Sequence, residues 1–196
     1  MLRALPPATR AILLINIAAF LLDLATGRLL SILGALRPVG AGFEPWQLVT
    51  YGFLHGDLMH IVFNMFGLYT FGASVERLFG SRFYALYYFA CVVSAGLCHL
   101  VVTSWMGGPQ VPMVGASGGV YGLLLAYGLY FPHQRVMLLI PPIPMNARTL
   151  VIVFAVISVV LGVTGSQAGV AHFAHLGGMI GGWLMIEYRK RGGGRR

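Results

Sequence analysis

Phe83-Tyr-Ala-Leu-Tyr-Tyr-Phe-Ala-Cys-Val-Val-Ser-Ala-Gly-Leu-Cys-His-Leu-Val-Val-Thr103 runs without a single Asp, Glu, Lys or Arg. A stretch of this length and polarity matches the roughly 20 residues a helix needs to cross a bilayer. The surrounding chain repeats the pattern. Apolar segments lie at about Arg10–Thr26, Leu58–Ser74, Phe83–Thr103, Ser117–Phe131, Thr149–Gly165 and Val170–Tyr188. Several are short, which suits helices that begin or end below the membrane surface. Within lipid only a helix satisfies all its backbone hydrogen bonds inside one segment. The expected fold is therefore all-α: a polytopic membrane protein with six transmembrane helices, forming a single domain over residues 1–196. The tail Gly192–Arg196 is expected to be disordered.

Composition agrees with this reading. The chain is 58% hydrophobic and only 9% charged, where a soluble domain carries about 25% charged residues. So few charges cannot cover a water-facing surface. The net charge of +8 does not indicate nucleic-acid binding, because the basic residues sit at segment ends and in the tail rather than on one soluble face. They do indicate topology. Arg3, Arg10, Arg77, Arg82, Arg135, Arg148, Arg189, Lys190, Arg191, Arg195 and Arg196 fall on one side of the alternating segments; Arg28 and Arg37 fall on the other. The positive-inside rule then predicts both termini in the cytoplasm, as an even number of spans requires. No cleavable signal peptide is expected, since the first apolar segment runs on into Asp23 without a small-residue cleavage site. The long segment Gly27–Asp57 is expected outside, partly seated in the interface. The Pro141–Pro144 stretch reads as a stiff cytoplasmic connector. Cys91 and Cys98 read as small buried hydrophobes.

Polar residues within a span point to function, because burying them is costly. Gly115-Ala116-Ser117-Gly118-Gly119 opens the fourth segment. Small neighbours let other groups approach Ser117, and its own N–H belongs to the unsatisfied first turn of a helix. That suits a nucleophile beside an oxyanion; it also suits a capping or packing serine. The string matches the Gly-x-Ser-x-Gly elbow of α/β-hydrolases, but no alternating strands and helices accompany it. In the sixth segment His175 is an imidazole followed by Gly178 and Gly182, which create a face for close helix packing. It reads either as a base for Ser117 or as a histidine bonded within the bundle. His60 and Asn64, four apart, share a helix face and supply two N–H donors of the kind an oxyanion requires; a solvated helix entry is the plainer reading. Tyr121 lies one turn after Ser117, placed either to pack on the base or simply in the core. His55, His60, His172 and His175 could ligate a metal only with a further ligand. Asp57 is the nearest carboxylate, and zinc sites use three or four protein ligands. No metal site and no cofactor are expected.

On these residues the chain resembles the rhomboid intramembrane serine proteases. The resemblance rests on His55, His60 and Asn64 in the second span, Gly115-Ala116-Ser117-Gly118 opening the fourth, and Ala174-His175 with Gly178 and Gly182 in the sixth. It implies a Ser117 nucleophile with His175 as base and then acid, in a dyad without an aspartate. It implies an oxyanion held by His60, Asn64 and the Ser117 N–H, with Tyr121 packed on His175 and Gly115 leaving room for the nucleophile. Glu76-Arg77 matches a structural turn of the family, and His55 a structural position.

The substrates implied are transmembrane segments of other proteins, in the lipid bilayer, entering between the second and fifth helices. A stable helix hides its carbonyls, so segments with helix-weakening and small residues are the expected targets. The charge bias suits a prokaryotic cytoplasmic membrane. The alternative function is a non-proteolytic rhomboid-like protein that binds transmembrane helices. Two positions depart from the family pattern: Trp46-Gln47 stands where Trp-Arg is usual, and His172 where an uncharged polar residue is expected.

Overall fold

The computed structural model describes residues 4–106, 112–137, 142–164 and 169–192. Residues 193–196 of the tail, Pro141 of the connector and Gly165 lie outside the described residues. The elements follow in order: α1 (Pro7–Ala25), α2 (Leu29–Gly34), α3 (Gln47–Thr50) continuing into a 3-10 turn (Tyr51–Phe53), α4 (Leu58–Gly67), a π-helical turn (Leu68–Gly72), α5 (Ala73–Phe79), α6 (Ser81–Met106), α7 (Ser117–Tyr130), β1 (Arg135–Met137), β2 (Pro144–Asn146), α8 (Ala147–Thr164) and α9 (Gly169–Gly192).

Each apolar segment read from the sequence falls on a helix. Among the described residues, four helical runs are long and apolar enough to cross a membrane: Pro7–Ala25, Leu58–Phe79, Ser81–Trp105 and Ala147–Thr164. Helix α7 has only 14 residues, and the apolar run of α9 is interrupted by His172, His175 and paired glycines. The expectation of an all-α fold needs one correction. Residues 135–137 pair antiparallel with residues 144–146, Val136 opposite Met145. This pairing lies between α7 and α8, where two short extended segments close each other's backbone hydrogen bonds instead of their own.

Polarity is distributed for lipid. Leu21, Leu86, Val101, Val163 and Leu184 face outward with more than half their surface uncovered, while Thr9, Asn16, His99 and Ser158 are buried. Two helix starts are satisfied by side chains. Pro7 opens α1, where a missing N–H costs nothing. The next amides, Ala8 N (2.9 Å) and Thr9 N (2.6 Å), donate to the Glu76 carboxylate, which also accepts from Ser81 Oγ at 2.7 Å. Asp57 caps α4 by accepting from His60 N at 2.8 Å.

At the centre α6, α7 and α9 pack through small residues. Helices in lipid associate by such close backbone approach rather than by excluding water. Gly178 of α9 lies against the backbone of Gly118 in α7, so close that a Cβ on Gly178 would overlap the Gly118 carbonyl. Hydroxyls then bond across to carbonyls within these helices: Ser94 Oγ to Gly177 O (2.8 Å), Tyr87 Oη to Gly122 O (2.6 Å) and Tyr51 Oη to Val92 O (2.6 Å). Cys91 is buried in this seam. Cys98 is half-buried, its thiol donating to Phe173 O at 3.2 Å.

The long segment before α4 is ordered by specific bonds. Gln47 is buried, its Oε1 accepting from Arg37 N (3.1 Å) and Glu44 N (3.2 Å) and its Nε2 donating to Gly42 O (3.4 Å). Leu36 and Met113 exchange backbone bonds of 2.9 and 2.8 Å, and Gly115 N donates to Tyr51 O at 3.0 Å. These tie the run-in to α7 against the segment that leads into α4.

Candidate active site

Ser117 is the first residue of α7 and His175 lies in the first half of α9. The close packing at Gly118 and Gly178, one and three residues further on, brings the two side chains together: His175 Nε2 is 2.9 Å from Ser117 Oγ. Both line a cavity of about 170 Å³ with Tyr51, His60, Met113 and Gly115 among its other walls. Nδ1 of His175 has no hydrogen-bond partner, so no carboxylate extends the pair into a triad among the described residues.

Gly115 is required on two counts. Its φ of +131° lies where side chains are strained, and a Cβ there would sit 2.6 Å from His60 Nε2. The absence of that carbon lets the His60 ring stand beside the Ser117 hydroxyl. His60 is held on α4 by the Asp57 cap, and its ring meets that of His55 edge to face at 5.0 Å. His55 is buried, and burial, with His60 close by, holds its imidazole down to about 4. Tyr121 lies flat on His175, with ring centroids 4.1 Å apart and planes 10° from parallel. Phe154 of α8 meets Tyr121 edge to face at 5.9 Å. His172 meets His175 edge to face at 5.8 Å.

Asn64 is placed differently. One turn along α4 from His60, it is buried, and its Nδ2 has no partner. It lines a second, apolar cavity of about 360 Å³ between α4, α7 and α8, with Phe63, Phe66, Tyr121, Leu150 and Phe154. Ser117, His175, His60 and Gly115 thus share one cavity, while Tyr121 and Asn64 stand at the neighbouring one. Among the described residues no group of three or more His, Cys, Asp or Glu converges as a metal ion would need.

Two contributors escape the sequence reading. Tyr51 lines the cavity and anchors the Gly115 backbone; nothing separates it from other aromatics of a long mixed segment. Arg28 donates to His55 O (2.9 Å) and Gly56 O (2.7 Å) and pairs with the buried Asp23 at 3.3 Å. The available signal was Asp23, an acid inside an otherwise apolar segment.

Residues 42–191 match the Rhomboid domain. The chain is 30% identical over 141 residues to rhomboid protease GluP of Bacillus subtilis, covering 72% of this chain and 25% of that protein. It is 31% identical over 147 residues to the mitochondrial RHOMBOID-like protein 12 of Arabidopsis thaliana, covering 67% and 42%. Against rhomboid protease GlpG of Klebsiella pneumoniae it is 32% identical over 121 residues, covering 60% and 41%. The chain thus spans between a quarter and about two fifths of the length of these curated relatives. With apolar helices facing outward and a domain match that runs through every residue of the Ser117 cavity, the chain is an integral membrane protein and belongs to the rhomboid family.

Proposed function

We propose that this chain is an intramembrane serine endopeptidase that cleaves transmembrane segments of other proteins. The observation that carries the reading is the 2.9 Å separation of Ser117 Oγ and His175 Nε2, within reach for proton transfer. Names of relatives such as rhomboid protease GluP and GlpG support the same class of activity.

In this reading neutral His175 accepts at Nε2 and carries its proton on Nδ1. Ser117 Oγ attacks the scissile carbonyl carbon while its proton passes to Nε2. The carbonyl oxygen becomes an oxyanion facing the His60 ring and the free first-turn N–H of Ser117. Asn64 Nδ2, unpartnered one turn away, is a further donor for a substrate spanning both cavities. Tyr121, packed on the imidazole, holds its plane. Collapse of the intermediate breaks the C–N bond, and the imidazolium protonates the departing amine. Water, deprotonated by His175, then hydrolyses the Ser117 ester and restores the hydroxyl.

Depth in the membrane follows from length. Fourteen residues make a helix of about 21 Å, short of the roughly 30 Å hydrocarbon core. If α7 reaches one surface at Tyr130, Ser117 lies below the other. The reading takes six membrane helices with both termini cytoplasmic, and the Ser117 cavity opening to the outside. The apolar cavity between α4 and α8 is the route by which a substrate helix would come to Ser117 from the lipid.

The test is cleavage of a transmembrane reporter by purified protein in bilayers. Wild type cuts and labels with a fluorophosphonate at Ser117; Ser117→Ala does neither while unfolding at the same temperature. Reporter binding without cleavage or labelling would replace this reading with that of a helix-binding protein.

A further inference from the structure

Arg28 occupies an unusual place. It has a φ of +71°, in the left-handed region, the only non-glycine residue so placed among those described. Such an outlier in a bulky residue marks a constraint imposed from elsewhere. Its backbone N–H donates to Asp23 O at 2.7 Å, which turns the chain out of α1. The guanidinium is thereby aimed at the segment before α4. Nη1 donates to His55 O at 2.9 Å and Nη2 to Gly56 O at 2.7 Å, 27 and 28 residues along the chain. Behind it, the Asp23 carboxylate is almost wholly buried and takes Ser31 N (2.9 Å), Ser31 Oγ (2.6 Å) and Arg28 Nη1 (3.3 Å). Nη1 is therefore shared between the Asp23 carboxylate and His55 O while Nη2 takes Gly56 O, a planar geometry that suits arginine and that a lysine ammonium matches only in part.

The two carbonyls immediately precede Asp57, whose carboxylate caps α4 on the N–H of His60. We infer that Arg28 is a positioning residue for His60: the Asp23–Arg28 pair fixes the His55–Asp57 segment, and that segment sets where the first turn of α4 presents the His60 ring to the Ser117 cavity. The kinetic consequence rests on the protease reading; the placement of α4 does not. A ring displaced by a fraction of an ångström from a developing oxyanion loses much of its effect, so Arg28 acts on turnover from outside the cavity.

The experiment takes the full chain in bilayers with Arg28→Met, Arg28→Lys, His60→Ala and the double variants. In Arg28→Met the turnover of the reporter falls about ten- to a hundredfold with little change in KM, and in the His60→Ala background the same substitution costs about twofold or less. Arg28→Lys loses less and shows the same coupling, which keeps the test alive if Arg28→Met does not fold. Hydrogen exchange at the amides of residues 58–61 speeds up in the Arg28 variants while that of α6 and α9 does not. Equal losses in the presence and absence of the His60 ring overturn the inference, as does unchanged exchange at the start of α4. If the wild type neither cleaves nor labels at Ser117, the protease reading fails and the exchange result alone decides the role of Arg28.

Discussion

Tyr121 and His175 stack face to face, 4.1 Å between centroids and 10° between planes, although they come from different helices. Phe154 contacts the Tyr121 ring, and the stack sits next to the 2.9 Å contact to Ser117. In the protease reading proposed above, an imidazole that accepts a proton from one direction and returns it in another gains from having its plane fixed.

The first prediction concerns that plane. Tyr121→Phe keeps the ring and is expected to retain most activity. Tyr121→Ala removes an aromatic contact worth about 0.5–1.5 kcal/mol, so turnover of a transmembrane reporter is expected to fall about threefold to tenfold. Fluorophosphonate labelling of Ser117 should slow in step with it. Equal turnover in both variants would show that the stack is only packing.

The second concerns the seam. A Cβ on Gly178 meets the Gly118 backbone, which cannot rotate away as a side chain could. Gly178→Ala therefore has to push α9 from α7, at a cost of about 1–3 kcal/mol, and the displacement separates His175 from Ser117. Thermal unfolding in mild detergent should drop, and activity should fall more than the loss of folded protein explains. Gly192→Ala, where a Cβ meets nothing, serves as the control.

The helices are legible in the sequence because lipid enforces them: an apolar run of sufficient length has no other way to close its hydrogen bonds. Their ends are less so. By pattern the first apolar segment starts at Arg10 and the second stops at Ser74, yet α1 begins at Pro7 and the second run continues to Phe79. One residue explains both. Glu76 looks like the end of a span, but its charge is absorbed by the free amides that start α1. In the site, the i, i+4 relation of Ser117 and Tyr121 and of His60 and Asn64 fixes a shared face. It cannot say that two cavities adjoin the α4 face and that Asn64 lines the apolar one. Nor can any local pattern show a guanidinium reaching carbonyls 27 residues away.

The third prediction is a pH dependence of stability that centres on His55. This residue precedes α4, and burial holds its imidazole down to about 4 from a usual 6.5. Above pH 6.5 it is neutral whether folded or unfolded and contributes no slope. Between pH 6.5 and 4 the unfolded chain takes up a proton that the folded chain refuses, so stability falls as the pH is lowered. The expected loss is about 2 kcal/mol at pH 5 relative to pH 7. Thermal unfolding across that range should show the decline in wild type, and a flatter profile in His55→Gln. An identical slope in both would move its origin to another group.

The last prediction tests whether the usual residue of the family would serve this chain at position 47. Two backbone donors, Arg37 N and Glu44 N, converge on the Oε1 of the buried Gln47. Arginine has no acceptor, so Gln47→Arg would leave both N–H groups unpaired and bring a guanidinium against them. Both bonds are only part-buried, so each N–H left unpaired costs less than the roughly 1–3 kcal/mol of a fully buried donor. The variant with the familiar residue is therefore expected to unfold at a lower temperature and to be cut faster by an added soluble protease within residues 37–47. Gln47→Glu keeps an acceptor for both N–H groups but sets a carboxylate oxygen against Gly42 O, where Nε2 donates at 3.4 Å, so it should fall between the two. If Gln47→Arg is instead as stable as the parent, the segment must have a second arrangement in which the Arg37 and Glu44 amides bond elsewhere, and its present order does not depend on the side chain at position 47.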